Sequence, residues 1–108
     1  MIDRRRLVGA VGEQLAEASL RRHGLRVVAR NVAVGRGEVD ILAVDRGQRV
    51  VVEVRTTTGE ADPLAAFGPV KAAQVARLTR RIRAHRVDLI AIHLGEDAAE
   101  IRWVQGAA

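Results

Sequence analysis

Apolar residues recur at helical spacing near the amino end. Leu7, Val8, Val11, Leu15 and Ala18 form one stripe of a helix. Asp3 is placed to cap it and Gly24 to stop it, so the pattern predicts a helix from about Arg4 to His23. Gly9, Gly12 and Ala16 form a small-residue patch beside the stripe, and Glu13 sits in that patch. Each glycine costs a helix about 1 kcal/mol relative to alanine. Close approach of the helix to another element would offset that cost.

Three strand-like segments follow: Leu25 to Arg30, Glu38 to Val44 and Gln48 to Arg55. Val34 to Gly37 breaks the first two, and Asp45 to Gly47 breaks the last two. Thr56 to Gly68 reads as a loop, with Gly59, Pro63 and Gly68 as breakers. Pro69 opens a second helix, which runs to about Ala84 with Val75, Leu78 and Ile82 at helical spacing. Val87 to Leu94 is a mostly apolar strand interrupted by Asp88 and His93, and Ile101 to Val104 a short edge strand. The order is α-β-β-β-α-β with a further β at the end. A helical crossover should set the fourth strand parallel to the third. The expected fold is α/β, a mixed sheet with flanking helices, in one domain spanning residues 1–108.

Register decides which polar residues meet. A turn through Arg46-Gly47, or a four-residue loop Asp45 to Gln48, pairs positions whose numbers sum to 93. Asp40 then lies opposite Glu53, and Glu38 opposite Arg55. A three-residue loop would put the two acids on opposite faces. In the first register Glu38, Asp40 and Leu42 share a face, as do Val51, Glu53 and Arg55. Opposed carboxylates about 5 Å apart at Cβ repel unless a cation intervenes. A hard divalent ion with oxygen ligands, Mg²⁺, suits that position. Such an ion would polarise a phosphodiester and activate water, with Arg55 steadying the developing charge. The competing reading is an internal salt bridge, with Arg55 neutralising Glu38 or Glu53.

Charge adds a partner. The 108 residues carry a net charge of +5 and a pI near 11.3. That balance favours a polyanion, nucleic acid first, over a merely soluble basic surface. Lys71 is the single lysine among 18 basic residues. Lys71, Arg77, Arg80 and Arg81 of the second helix are candidates for a phosphate backbone, the alternative being a solvated face. Phe67 and Trp103 are the only aromatics, which disfavours a base-stacking platform. The absence of cysteine excludes disulfides and thiolate metal sites. The apolar runs are too short to span a bilayer and the amino end has no leader pattern, so a cytoplasmic protein is expected.

Gly12-Glu13-Gln14-Leu15-Ala16, Arg30-Asn31, Gly37-Glu38-Val39-Asp40-Ile41-Leu42 and Val52-Glu53-Val54-Arg55 together resemble the YraN-like family of small bacterial proteins. The resemblance extends through Phe67-Gly68-Pro69 and Lys71 to Arg86-Val87-Asp88. That family is similar to the PD-(D/E)xK superfamily of restriction enzymes and archaeal Holliday-junction resolvases. The resemblance implies a restriction-endonuclease-like fold. It implies that Asp40 and Glu53 are metal ligands, that Glu13 is an added acid, and that Arg55 stands at the usual lysine position. Analogy with resolvases implies a homodimer. The expectation is a metal-dependent nuclease-like protein acting on branched or flapped DNA. The alternatives are a non-catalytic nucleic-acid-binding module that kept the fold, and a protein-interaction scaffold. Arginine keeps the charge of lysine but does not deprotonate, so catalysis hinges on which property the position needs.

Other motifs point to packing. Gly9-Ala10-Val11-Gly12 lacks a phosphate-loop ending and does not follow a strand. His23, His85 and His93 have no ligand spacing. His93 reads as a core residue, His23 and His85 as helix-end residues, and Asp88 as a structural or supporting acid.

Overall fold

Asp3 caps the first helix as its position predicts, its carboxylate accepting the Arg5 N–H at 2.9 Å. The computed structural model describes residues 3–108. Its elements are α1 (Arg4–Arg22), β1 (Arg26–Val34), β2 (Gly37–Asp45), β3 (Gln48–Thr58), α2 (Pro69–Arg81), β4 (Arg86–Leu94) and β5 (Ala99–Val104). The strands form one sheet in the order β1-β2-β3-β4-β5. β3 and β4 pair in parallel and the other neighbours are antiparallel. This is the mixed α/β sheet and element order that the hydrophobic pattern predicts, with the optional last strand present.

Two elements outrun their expected ends. β3 continues through Thr56, Thr57 and Thr58, which pair with Ile92, His93 and Leu94 of β4. Three β-branched residues suit a strand better than the loop expected there. β1 continues to Val34 because Val32, Ala33 and Val34 pair with β2. The loop after β3 holds a short 3-10 turn, Pro63–Ala66.

One core lies on each side of the sheet. Ala16 and Leu20 of α1 pack on Ile41, Val50, Val52 and Ile90. Val75 and Leu78 of α2 pack on Val39, Val51 and Val87. Alternate residues of β3 thus face opposite helices. The apolar stripe expected for α1 is not its buried face. Leu7, Val11 and Ala18 are exposed, while Gly12, Ala16, Ser19 and Leu20 are buried. The small face wins because it lets the helix axis approach the sheet. A Cβ on Gly12 would meet Thr56 Cβ at 2.8 Å and Cγ2 at 2.9 Å. Gly9 has nothing within 4 Å, so close approach accounts for only one of the two glycines.

β1 and β2 change face midway. Arg30 bonds to Glu17 of α1, yet Val32 packs with α2. Ile41 packs with α1, yet Val39 packs with α2. The ladder passes from Arg30↔Ile41 to Val32↔Val39, and the skipped Asn31 has φ +51. Strict alternation through Glu38, Asp40 and Leu42 therefore fails at Asp40, where the strand turns over.

At the far edge, Asp88 is fully buried. It accepts Trp103 Nε1 at 2.9 Å, the Gly106 N–H at 3.1 Å and Arg86 Nε at 3.0 Å. Arg86 also reaches Asp45 at 2.8 Å. Asp88 is accordingly a structural acid. His93 is half-buried and contacts the Gly59 carbonyl, so it marks the end of the sheet rather than the core. His23 closes α1 and sets its ring edge-on to Trp103 at 5.0 Å. No helix of the described residues is long and apolar enough to cross a membrane.

Candidate active site

The β2–β3 turn fixes the site. Arg46 and Gly47 have φ +52 and +82, the pair of left-handed residues that a type I′ hairpin requires. Pairing then runs from Asp45↔Gln48 to Ile41↔Val52 in the register that sums to 93. The next pair would be Asp40 and Glu53, and there the backbone ladder stops. Side chains continue it. Asp40 Oδ2 accepts the Val54 N–H at 2.9 Å, and the Asp40 N–H points to Glu53 Oε1 at 3.4 Å. Each acid therefore occupies backbone of the other's strand, which holds the two carboxylates close without direct pairing.

Arg55 joins them. Its guanidinium lies 3.8 Å from Asp40 Oδ2 and 3.6 Å from Glu53 Oε2, and Nη1 donates to the Val54 carbonyl at 3.0 Å. Both ion pairs are longer than a good charge-assisted hydrogen bond. Glu38, expected opposite Arg55, makes no ion pair with it among the described residues, because β2 has turned over at Asp40. Glu53 is 1% exposed. Burial, and then the charge of Asp40, push its carboxyl up to about 7 against the pull of Lys71, Arg55 and the Asp40 N–H. One arginine at these distances does not offset the charge of both acids.

A cleft of about 760 Å³ opens over this point, lined by Arg5, Gly9, Glu13, Asp40, Arg55 and Thr56 among others. Arg5, Gly9 and Glu13 recur every four residues, so one stripe of α1 forms its wall. Glu13 is raised by burial first, then by the charges of Asp40 and Glu38. The acids thus feel one another. However, no three His, Cys, Asp or Glu side chains among the described residues stand at ligand spacing. Glu13 lines the same cleft as Asp40 and is not gathered into a ligand cluster with the pair.

Donor chemistry fits a hard divalent cation all the same. Mg²⁺ is usually held by one or two carboxylates and keeps several waters. Asp40 and Glu53 supply two carboxylates with surplus negative charge, and Glu13 can bond to an ion's water shell.

Of the basic residues expected to meet phosphate, Lys71 is half-buried at the start of α2 and its charge acts on Glu53. Arg77 and Arg81 are exposed and line a groove on the α2 side. Arg80 is exposed but does not line it. Two cleft features escaped the sequence reading. Arg4 and Arg5 line the cleft, signalled by the four-residue spacing from Arg5 to Glu13. Thr57 and Thr58 line it too, and only the extension of β3 reveals them.

Comparison with known proteins agrees with this architecture. Residues 12–92 match the model of a family described as uncharacterised protein family UPF0102. A UPF0102 protein of Streptomyces coelicolor is 39% identical over 106 residues, covering 87% of this chain and 82% of its own. One from an Arthrobacter species is 36% identical over 96 residues, covering 80% and 81%. Among solved structures, an FdxN element excision controlling factor protein from Anabaena variabilis superposes with a TM-score of 0.56 at 15% identity. The match covers 88% of this chain and 98% of that one, a likeness of fold.

Proposed function

The chain belongs to uncharacterised protein family UPF0102, the YraN-like family, and from that membership and the crossed Asp40–Glu53 pair we propose a metal-dependent nuclease-like protein acting on branched or flapped DNA. The observation that carries the reading is a buried acid, Glu53, facing a second acid at the end of a ladder, beneath a cleft bordered by arginines. Asp40 and Glu53 would hold Mg²⁺, with Glu13 bonding to its water shell. The metal would supply Lewis-acid polarisation of a phosphate and a more acidic water. Arg55 keeps a positive charge on the cleft floor, where a phosphate oxygen gaining charge would be steadied. Arg4 and Arg5 would receive flanking phosphates along the cleft. The net charge of +5 supports a polyanionic partner.

The test is cleavage of flapped and branched DNA with and without Mg²⁺. Native protein is expected to cleave only with the metal, and Asp40→Ala to lose cleavage. Cleavage unchanged by that substitution would overturn the mechanism.

Arg55 favours a second reading. Its guanidinium is engaged by both acids and by the Val54 carbonyl, and arginine does not serve as a proton-transfer group as a lysine can. A non-catalytic module with this fold would bind DNA in a salt-sensitive way and never cleave it.

A further inference from the structure

A second basic feature lies apart from the cleft. The β1–β2 turn and the C-terminal half of α2 enclose a groove of about 510 Å³, lined by Gly35, Arg36, Gln74, Arg77, Leu78 and Arg81 among others. Its lining includes three guanidinium groups, no carboxylate and no aromatic ring. Four arginines outside the groove pair with carboxylates: Arg21 and Arg30 with Glu17, Arg55 with Asp40 and Glu53, Arg86 with Asp45 and Asp88. Arg36, Arg77 and Arg81 take part in no ion pair among the described residues.

The groove is also more than a solvated face. Val34 pairs with Gly37, so the turn is the two residues Gly35-Arg36, with Gly35 at φ +59. A two-residue turn with glycine first is a tight, twist-matched hairpin end, which holds Arg36 at a fixed height. The Arg81 guanidinium lies against the bare backbone of Gly35. A second close fit backs the same turn: a Cβ on Gly37 would meet Leu78 Cδ1 at 2.7 Å. Arg81 thus lies beside the turn that carries Arg36, and both line the groove. Guanidinium groups bind phosphate through bidentate hydrogen bonds.

The stripe Lys71, Gln74, Arg77, Arg81 recurs every three to four residues, so it runs along one side of α2. Ten residues of helix span about 15 Å, roughly four base-pair rises of 3.4 Å. Its amino end is Lys71, whose charge acts on Glu53.

We propose that the groove between the β1–β2 turn and α2 grips the sugar-phosphate backbone of a DNA duplex arm through Arg36, Arg77 and Arg81. This rests on the DNA-directed reading above and names where the uncut arm lies. The grip reads no sequence, since guanidinium–phosphate contacts carry none. It prefers duplex over single strand because the groove has no ring for bases to stack on.

Fluorescence anisotropy in EDTA tests it, with a labelled blunt duplex and a single strand of equal length, across a salt series. The Arg36→Gln/Arg77→Gln/Arg81→Gln variant is compared with an equal-charge control, Arg22→Gln/Arg26→Gln/Arg83→Gln, at exposed positions outside the groove. Three lost phosphate contacts should flatten the slope of log affinity against log salt by about three, at roughly 0.9 per contact. The control should stay near the native slope, and the groove variant should lose duplex binding more than single-strand binding. Equal losses in the two variants, or a native slope in the groove variant, would overturn the proposal. Failure of the nuclease reading looks different: duplex binding that depends on the groove, with no cleavage under Mg²⁺. A native chain that binds no duplex at low salt overturns both.

Discussion

Asp40 and Val54 are joined across the end of the β2–β3 ladder, the Asp40 carboxylate accepting the Val54 N–H at 2.9 Å. A functional acid here also does structural duty, and a test of function must separate the two. Val54 is buried, so truncating Asp40 leaves an N–H without a partner at a cost of about 1–3 kcal/mol. Asp40→Asn keeps an oxygen acceptor and removes the charge. Chemical denaturation should find Asp40→Ala less stable than native by about that amount and Asp40→Asn close to native. Cleavage should be lost in both. An asparagine variant that cleaves like native would show that the charge of Asp40 is not needed.

Much of this arrangement was legible in the chain. A turn through Arg46-Gly47 is one of the loops the sequence allows, and it is the one that sets Asp40 against Glu53; the hairpin adopts it. The turnover of β2 at Asp40 was not legible, because Asn31 and Asp40 interrupt an apolar pattern that reads equally well as continuous. It removed Glu38 from Arg55. The α1 face was misread because hydrophobicity alone ranks Leu7 and Val11 above Gly12 and Ala16. Close packing against Thr56 rewards small size instead. Arg36 escaped notice because a turn residue has no periodicity, and only the fold brings it to Arg77 and Arg81.

The two glycines of α1 should respond oppositely to alanine. At Gly12 the new methyl would collide with Thr56, forcing α1 off β3 at a cost of about 1–3 kcal/mol. At Gly9 there is open space, and better helix propensity should stabilise the protein by about 0.5–1 kcal/mol. Thermal unfolding should show a lower Tm for Gly12→Ala and a higher one for Gly9→Ala. Adding Thr56→Gly should recover part of the Gly12→Ala loss. Shifts in the same direction for both glycines would contradict the packing of α1.

Glu53 gives the fold a pH dependence. Its carboxyl is raised from 4.5 to about 7, so the folded state holds this proton more tightly than the unfolded chain. The associated penalty is absent below about pH 4.5, grows as pH rises, and is fully present above about pH 7. Stability should fall across that window by on the order of 3 kcal/mol from this group. Glu13 shifts in the same sense, so comparison with Glu53→Gln isolates the larger share. Urea midpoints should coincide for native and Glu53→Gln near pH 4.5, with the variant more stable near pH 8. Coincident midpoints at both pH values would show that burial does not penalise this charge. Added Mg²⁺ should stabilise native protein more near pH 8 than near pH 5.5, since protons compete for the same carboxylate.

Arg55→Lys separates the catalytic reading from the binding one. The guanidinium reaches Asp40, Glu53 and the Val54 carbonyl together. One ammonium cannot keep that geometry, so the variant should lose about 0.5–1.5 kcal/mol of stability. It gains a compact charge that can give up a proton. With the acidic pair intact, single-turnover cleavage of a flapped duplex under Mg²⁺ should rise above native in Arg55→Lys. It should vanish in Arg55→Lys/Asp40→Asn. A native chain already as fast as Arg55→Lys would assign this position a role through charge alone. Absence of cleavage in native and lysine forms alike, with duplex binding retained, would leave the non-catalytic module as the function of this fold.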